Sequence, residues 1–588
     1  LCIAAYFGAE KDKDREALRR DYRAKLDAWK AGGDRLEIDG IVEELRGGER
    51  PVLPLHWEIE FPEVFGRGNP GFDAMVGNPP FAGPVTLTAA NRPHFSDWLR
   101  FNHAGTGGKC DLVAYFFRRT FDLLRGWGSF GLVATNTIAQ GDTRTSGLSA
   151  ILNQGGHIYA ATRRVRWPGM AAVVVSVVHV LRGFPRSFLL DGREVPQITP
   201  FLYGKGALQE PVRLHKNSRV AFLGCKPGSK GFVFEDGDPS ANSLSELEQL
   251  MKDAAETGAV RPYLGGAELN DSPTLSPRRW IVYFGNLDET AARMYPGAFA
   301  LVERKVKPVV QGTRWWQYAS SASDFYSRCP AFQRVLVTAE VSNSFAFAFM
   351  APNIVFSNKL VLFLLDRWHD FCLLQSRVHE SWVRLLSSTM KDDLSYVPAD
   401  AFQTFPCALG ADCETAGQTY YDFRAALMVR NDQGLTKTYN RFHSPNECDP
   451  DIFKLRELHS AMDRAVLDAY GWSDIATDCD FLLDYEIDEA TWGDKKKPFR
   501  YRWPDAVRDE VLARLLDLNQ RRHQEEVVAG LHGKVDKVAP VVAKKPRGPR
   551  KARAAKGEAS QGTLSLAAAP DPHPPAPSPE GEGEEIER

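Results

Sequence analysis

Four consecutive residues, Asn78-Pro79-Pro80-Phe81, hold the groups best suited to chemistry in this sequence. Each proline fixes its own φ and removes a backbone N–H donor, and the residue before each is pushed toward extended conformations. The tetrapeptide therefore presents one amide side chain, exposed carbonyls and one aromatic ring from a stiff backbone. An asparagine oxygen and a loop carbonyl accept hydrogen bonds from an exocyclic amine, and a phenylalanine ring stacks on the heterocycle that carries it. That inventory suits a flat, polar, amine-bearing substrate.

The elements that must hold these residues are legible on either side. Phe72, Ala74, Met75 and Val76 read as a short buried strand that ends at Gly77. Residues 84–110 read as a polar, glycine-containing loop. Asp111–Arg125 (DLVAYFFRRTFDLLR) has helical apolar spacing, with an aspartate at its start, where the helix dipole favours negative charge. Phe130–Thr135 is the next buried strand, followed by the polar loop Asn136–Asp142. Residues 155–164 form a further short strand, and the β-branched run Ala171–Leu181 reads as a central one. Ligands of such α/β sheets bind beyond the carboxyl ends of the strands, which is where the NPPF and NTIAQGD stretches fall.

NPPF resembles the (D/N/S)PP(Y/F) loop, motif IV, of amino-group methyltransferases that use S-adenosylmethionine. The resemblance implies a loop that grips a flipped-out adenine with its N6 amine facing the methyl sulfonium, the base having left the duplex because its amine is otherwise paired and stacked. Asn78, Pro79, Pro80 and Phe81 would be the catalytic set. No strong side-chain base is implied, because the amine loses its proton after attack; the contribution of the loop is positioning. The order of elements is similar to motifs IV to VIII of adenine methyltransferases in their γ order. Asp111, Leu112 and Phe116 match the DLYxxF helix that lines the cofactor side in that family. Val113 stands where the family has Tyr, so the implied cofactor contacts are Asp111 and Tyr115. Trp167 and Pro168 stand where a loop approaches the target base.

The family also needs a glycine-rich loop (F/D-x-G-x-G) after its first strand, and none precedes residue 71. With Leu1 rather than Met at the start, the expectation is that the cofactor half lies upstream or on a separate polypeptide. Val220–Phe232 (VAFLGCKPGSKGF) is the downstream alternative, although its glycines do not match that spacing.

Residues 183–405 interleave basic and aromatic side chains, a combination suited to phosphate contact and base stacking. Arg278, Arg279, Lys305, Arg314, Trp315 and Trp316 are the DNA-contact candidates. PYLGGAELN, WIVYFG, WWQYA, LLQSRVHESWVR, SSTMKDDLSYVP and the Thr404-Phe405-Pro406 stretch resemble the target recognition domain of large bacterial DNA methylases of the type IIG restriction–modification kind and their phage-defence relatives. Glu303-x-Lys305 is only a fragment of a nuclease motif. Residues 415–530 read as mainly helical, with His459 and Asp463 on one helix face and Phe499–Trp503 (FRYRW) as a further DNA contact. Lys534–Lys556 carries nine Lys/Arg against one Asp and reads as a disordered basic arm; Pro570–Arg588 is a Pro/Glu-rich flexible tail.

Composition sets the outer limits. The 588 residues carry a formal charge of −2, so nucleic-acid affinity must come from local patches. The nine cysteines include no CxxC pair, which argues against a zinc ribbon or a disulfide framework and for a reducing cytoplasm. No metal site and no membrane span are expected. The resulting organisation is α/β: a connecting helical segment (1–50), a partial Rossmann-like methyltransferase sheet (51–190), a mixed α/β target recognition domain (191–410), a helical carboxyl-terminal region (411–532) and a tail (533–588). The implied activity is transfer of a methyl group from S-adenosylmethionine to adenine N6 in double-stranded DNA within a restriction–modification or phage-defence system, with other subunits as further partners. A non-catalytic DNA-recognition subunit and a methyltransferase for a protein amide remain the alternatives.

Overall fold

The computed structural model describes residues 1–166, 174–310, 312–386, 389–390, 393–408, 413–483 and 497–532, all within one unit, Leu1–Val538. Trp167, Pro168, the first three residues of Ala171–Leu181, part of SSTMKDDLSYVP and both tail segments lie outside the described residues.

The charged stretch after residue 9 forms two helices, α1 (Asp12–Lys30) and α2 (Leu36–Arg46). The break falls at Gly32-Gly33, where Gly32 takes φ +97°, a conformation glycine adopts without a Cβ penalty. A six-stranded mixed sheet follows. Strand β1 (Phe72–Gly77) lies parallel to β2 (Leu124–Thr135), and the connection runs through α3 (Leu112–Leu123). Then β3 (His157–Arg166), β4 (Val174–Leu181), β5 (Phe188–Leu190) and β6 (Arg193–Val195) complete the order β1-β2-β4-β3-β5-β6. The β-branched β4 is central as its composition predicts, antiparallel to both β2 and β3. The apolar stripe of α3 seals one face: Phe117 meets Phe130 of β2 edge to face at 5.4 Å, and Val113, Ala114 and Phe121 are buried.

Three local readings need correction. The strand before NPPF is not buried but is the edge of the sheet. Phe72 packs against Trp57, Phe61 and Phe65 and Met75 packs on the core, yet Val76 is 87% exposed. The physical reason is that β2 pairs with one side of β1, and no strand among the described residues pairs with the other. Residues 84–110 are not one loop. They contain helices Pro84–Ala90 and Phe95–Asn102, the second of which places Phe95, Trp98 and Leu99 on one face. The stretch after β2 is a 3₁₀ turn, Asn136–Ala139, continued by the helix Gly141–Arg144 and a π turn at Thr145–Ser149.

The second half holds two four-stranded sheets. One runs Val355–Phe356, Val260–Leu264, Arg279–Val282, Val233–Phe234; the other runs Phe347–Met350, Val335–Ala339, Leu360–Phe363, Ala221–Leu223. Helices α4 (Glu414–Arg430), α5 (Leu435–Phe442), α6 (Pro450–Ala469) and α7 (Asp505–Val528) follow, with a two-stranded ribbon of Asp480–Leu483 and Phe499–Arg502. One hydrophobic core extends from Phe201 to Leu516 through sheets and helices alike. Helix α7 also reaches the first half: Asp509 pairs with Arg163 of β3 at 2.7 Å, and Gln520 donates to the Glu210 carbonyl at 2.8 Å. Among the described residues no helix is long and apolar enough to cross a membrane.

Candidate functional site

The NPPF loop is held at both ends. Upstream, Gly77 closes the ladder of β1 opposite Leu132 of β2. Downstream, Ala82 is pinned to the start of α3 through both of its backbone groups: its N–H donates to Asp111 Oδ1 at 3.3 Å, and its carbonyl accepts from Leu112 N–H at 3.0 Å. The same Asp111 oxygen accepts from Val113 N–H at 3.0 Å, the N-cap bond of α3. Four residues thus span two fixed points, and two of them are prolines. Pro79 is buried, whereas Asn78 is exposed and the Phe81 ring is 36% exposed. A rigid loop offers an amide and an aromatic face to solvent at the carboxyl end of a strand, where α/β sheets bind ligands.

A second layer holds Asp111. Its N–H donates to Thr143 Oγ1 at 3.1 Å, Lys109 N–H donates to Asp142 Oδ2 at 2.9 Å, and Gly107 N–H donates to Ser146 Oγ at 3.0 Å. Gly107 permits this approach, since a Cβ there would lie 2.4 Å from the Asp142 carboxyl. The short helices after β2 therefore clamp the approach to α3. They are fastened in turn by the buried Arg144, whose guanidinium grips Glu210 (2.6 and 3.1 Å) and lies 4.0 Å above the Phe201 ring.

The other candidates fall in different places. Tyr115, expected on the cofactor side, is a core residue packed 5.4 Å from His103, whose pKa burial and the nearby Arg118 and Arg119 lower to about 4. Its neighbour Phe116 is the exposed aromatic of α3. Trp167 lies outside the described residues. Trp315 and Trp316 are core residues rather than open stacking platforms: each is 7% exposed, and Trp316 Nε1 donates to the Leu287 carbonyl at 3.1 Å. Arg279 is turned inward in a two-point ion pair with Glu268, and Lys305 donates to the Ala241 carbonyl. Arg278 and Arg314 are exposed. In FRYRW, Arg500 and Trp503 are buried, which removes them as DNA contacts in this conformation. Basic–aromatic interleaving does not reveal which side of a strand faces inward, and half of this set faces the core.

The remaining site features concern the cofactor. Two glycines of Val220–Phe232 serve close packing in the second half: a Cβ on Gly224 would meet the Ser357 carbonyl at 2.2 Å, and one on Gly231 would meet Lys305 Cβ at 2.8 Å. Neither β1 nor β2 is followed by a glycine-rich turn of the F/D-x-G-x-G kind.

Local sequence does not announce the buried cluster of Arg377, Asp463 and His459. His459 and Asp463 of α6 are not a surface pair. Asp463 is fully buried and accepts from both Arg377 N–H at 2.8 Å and Arg377 Nη1 at 2.6 Å, while His459 Nδ1 lies 2.8 Å from the same guanidinium. Arg377 is 86 residues from Asp463, so no local spacing announces it.

Residues 21–158 match the Eco57I restriction-modification methylase family, and residues 221–409 match the MmeI target recognition domain. DNA methyltransferase A of Bacillus subtilis (strain 168) is 22% identical over 491 residues, which cover 76% of this chain and 52% of that protein; the chain thus spans about half the length of that curated relative. Among solved structures, the type IIL restriction-modification enzyme MmeI in complex with DNA aligns with a TM-score of 0.48 and 18% identity, over 77% of this chain and 57% of the other. The type IIG restriction endonuclease BpuSI aligns with a TM-score of 0.26 and 10% identity, over 68% and 54%. Residues 21–158 thus form a segment similar to the Eco57I restriction-modification methylases, followed at 221–409 by one similar to the MmeI target recognition domain.

Proposed function

We propose that this chain forms the target-base and DNA-recognition part of an enzyme that methylates the N6 amine of adenine in duplex DNA, in the cytoplasm, as part of a restriction–modification or phage-defence system. The observation that carries this reading is the doubly anchored NPPF loop with Asn78 and Phe81 turned to solvent. The target adenine leaves the duplex. The Asn78 amide oxygen and the Pro79 carbonyl accept the two N–H bonds of the amine, which directs its lone pair away from them, and Phe81 stacks on the ring. S-adenosylmethionine, when bound, supplies the methyl group. The loop contributes orientation, and orientation of this kind is worth several orders of magnitude in rate.

The cofactor is held, in this proposal, by a further stretch of protein carried outside these residues, on the same polypeptide or another. Support comes from the open side of β1: a free strand edge offers unpaired N–H and C=O groups to another strand, and Val76 stands exposed beside it. Arg278 and Arg314 are the DNA contacts of the second half that the exposure of their side chains supports.

The test uses the enzyme complete with its cofactor-binding part. Asn78→Ala and Phe81→Ala are each expected to lower methylation by about a hundredfold or more while DNA affinity stays within about twofold. Methylation undiminished in either variant would sink the assignment. Retained DNA binding with no cofactor binding in the assembled protein would favour a recognition subunit instead.

A further inference from the structure

Asp111 matches a cofactor-side position of the family, yet its carboxylate is engaged elsewhere. We propose that Asp111 is a positioning residue for the target-base loop: it holds the NPPF backbone in register with the start of α3, and it acts on the reaction through Ala82 rather than by touching the cofactor. The proposal rests on the methyl-transfer reading above only for its catalytic consequence; the anchoring itself stands on geometry.

One oxygen, Oδ1, accepts two N–H groups, those of Ala82 and Val113. The first belongs to the loop and the second to the helix, so a single atom fixes the distance between them. Pro79 and Pro80 have no N–H to give, and the Ala82 N–H that follows them donates to Asp111. The Leu112 N–H to Ala82 carbonyl bond completes a two-point clamp. Asp111 is itself held through its own N–H by the buried Thr143. A displacement of about 1 Å in a group that orients a reactant costs on the order of a hundredfold in rate, and the Asp111 carboxylate is the side chain that resists that displacement.

Hydrogen–deuterium exchange on the full chain reads the anchoring without any activity. In the wild type, the Ala82 amide is expected to be protected. In Asp111→Ala its exchange is expected to rise by about tenfold, in keeping with the loss of one hydrogen bond to a charged acceptor, while α6 keeps its protection. Asp111→Asn, which retains an acceptor oxygen, is expected to fall between the two. Asp111→Ser preserves a good N-cap for α3 with a shorter side chain, so it separates loop anchoring from helix capping if the alanine variant does not fold. Equal Ala82 protection in wild type, Asp111→Ala and Asp111→Ser overturns the proposal, as does an unprotected Ala82 in the wild type. In the assembled enzyme, kcat is expected to fall at least about tenfold with the cofactor Kd unchanged. A raised cofactor Kd with intact Ala82 protection would make Asp111 a ligand contact. Loss of Ala82 protection in the variant, with no methylation by the wild type on any DNA, would leave the anchor standing and remove the reaction.

Discussion

Val76 in β1 and Val337 in the strand Val335–Ala339 are the same residue in the same kind of element, and they stand at opposite extremes of exposure. Val337 has neighbours on both strand edges, Ala348 on one side and Leu362 on the other, and is fully buried. Val76 has one paired edge and is 87% exposed. The contrast extends beyond the pair. Leu36, Leu53, Ile59, Val85 and Phe101 of the first half are also exposed, whereas the strand of Val337 and its two neighbours, Phe347–Met350 and Leu360–Phe363, are almost wholly buried. Both halves leave some apolar side chains exposed, Met294 and Val528 among them in the second, but in the first half it is the strand leading into NPPF whose edge is unpaired among the described residues.

The largest expected loss of stability comes from removing a buried charge in the second half. Asp463→Ala leaves the buried Arg377 guanidinium unpaired and is expected to cost about 3–5 kcal/mol, read by urea unfolding of the full chain. A cost below about 1 kcal/mol would mean that the triad is solvated.

Acid acts on the same region. Burial lowers the pKa of His379 to about 3, and burial with neighbouring arginines, Arg500 for His443 and Arg377 for His459, lowers theirs as well. The folded values lie below the unfolded 6.5, so the unfolded chain binds these protons first. Stability is therefore intact above about pH 6.5 and falls as the pH is lowered toward the folded values. Each such histidine contributes a loss of up to about 1.4 kcal/mol per pH unit in that window. A stability curve that stays flat from pH 7 to pH 5 would contradict the buried, neutral state of the three.

The smallest effect sharpens the contrast itself. Val337→Ala is expected to destabilise by about 2–3 kcal/mol through lost burial and a cavity, and Val76→Ala by less than about 0.5 kcal/mol in the chain by itself. Similar losses at the two positions would show that β1 is covered in solution.

The sequence made legible what is contiguous. NPPF, the Asp at the head of α3 and the β-branched β4 are each announced by neighbouring residues whose local chemistry agrees with the fold. Burial in the second half was not legible, because Trp315, Trp316, Arg279 and FRYRW have the composition of a nucleic-acid surface and are fixed inward by partners far along the chain. The Arg377–Asp463–His459 triad was hidden for the same reason. In the first half, β1 read as buried because its side chains are apolar; an unpaired strand edge leaves no mark on local sequence. The role of Asp111 needed the fold, since only the return of α3 past the loop brings its carboxylate to Ala82.

Product identity decides whether the NPPF loop orients an adenine amine. Duplex DNA incubated with the assembled enzyme and S-adenosylmethionine is digested to nucleosides and analysed by mass spectrometry, for the wild type and for Asn78→Ala. The account predicts N6-methyladenine from the wild type and its loss in the variant. Methyl groups on another base or on protein, or N6-methyladenine formed equally by both, would contradict it.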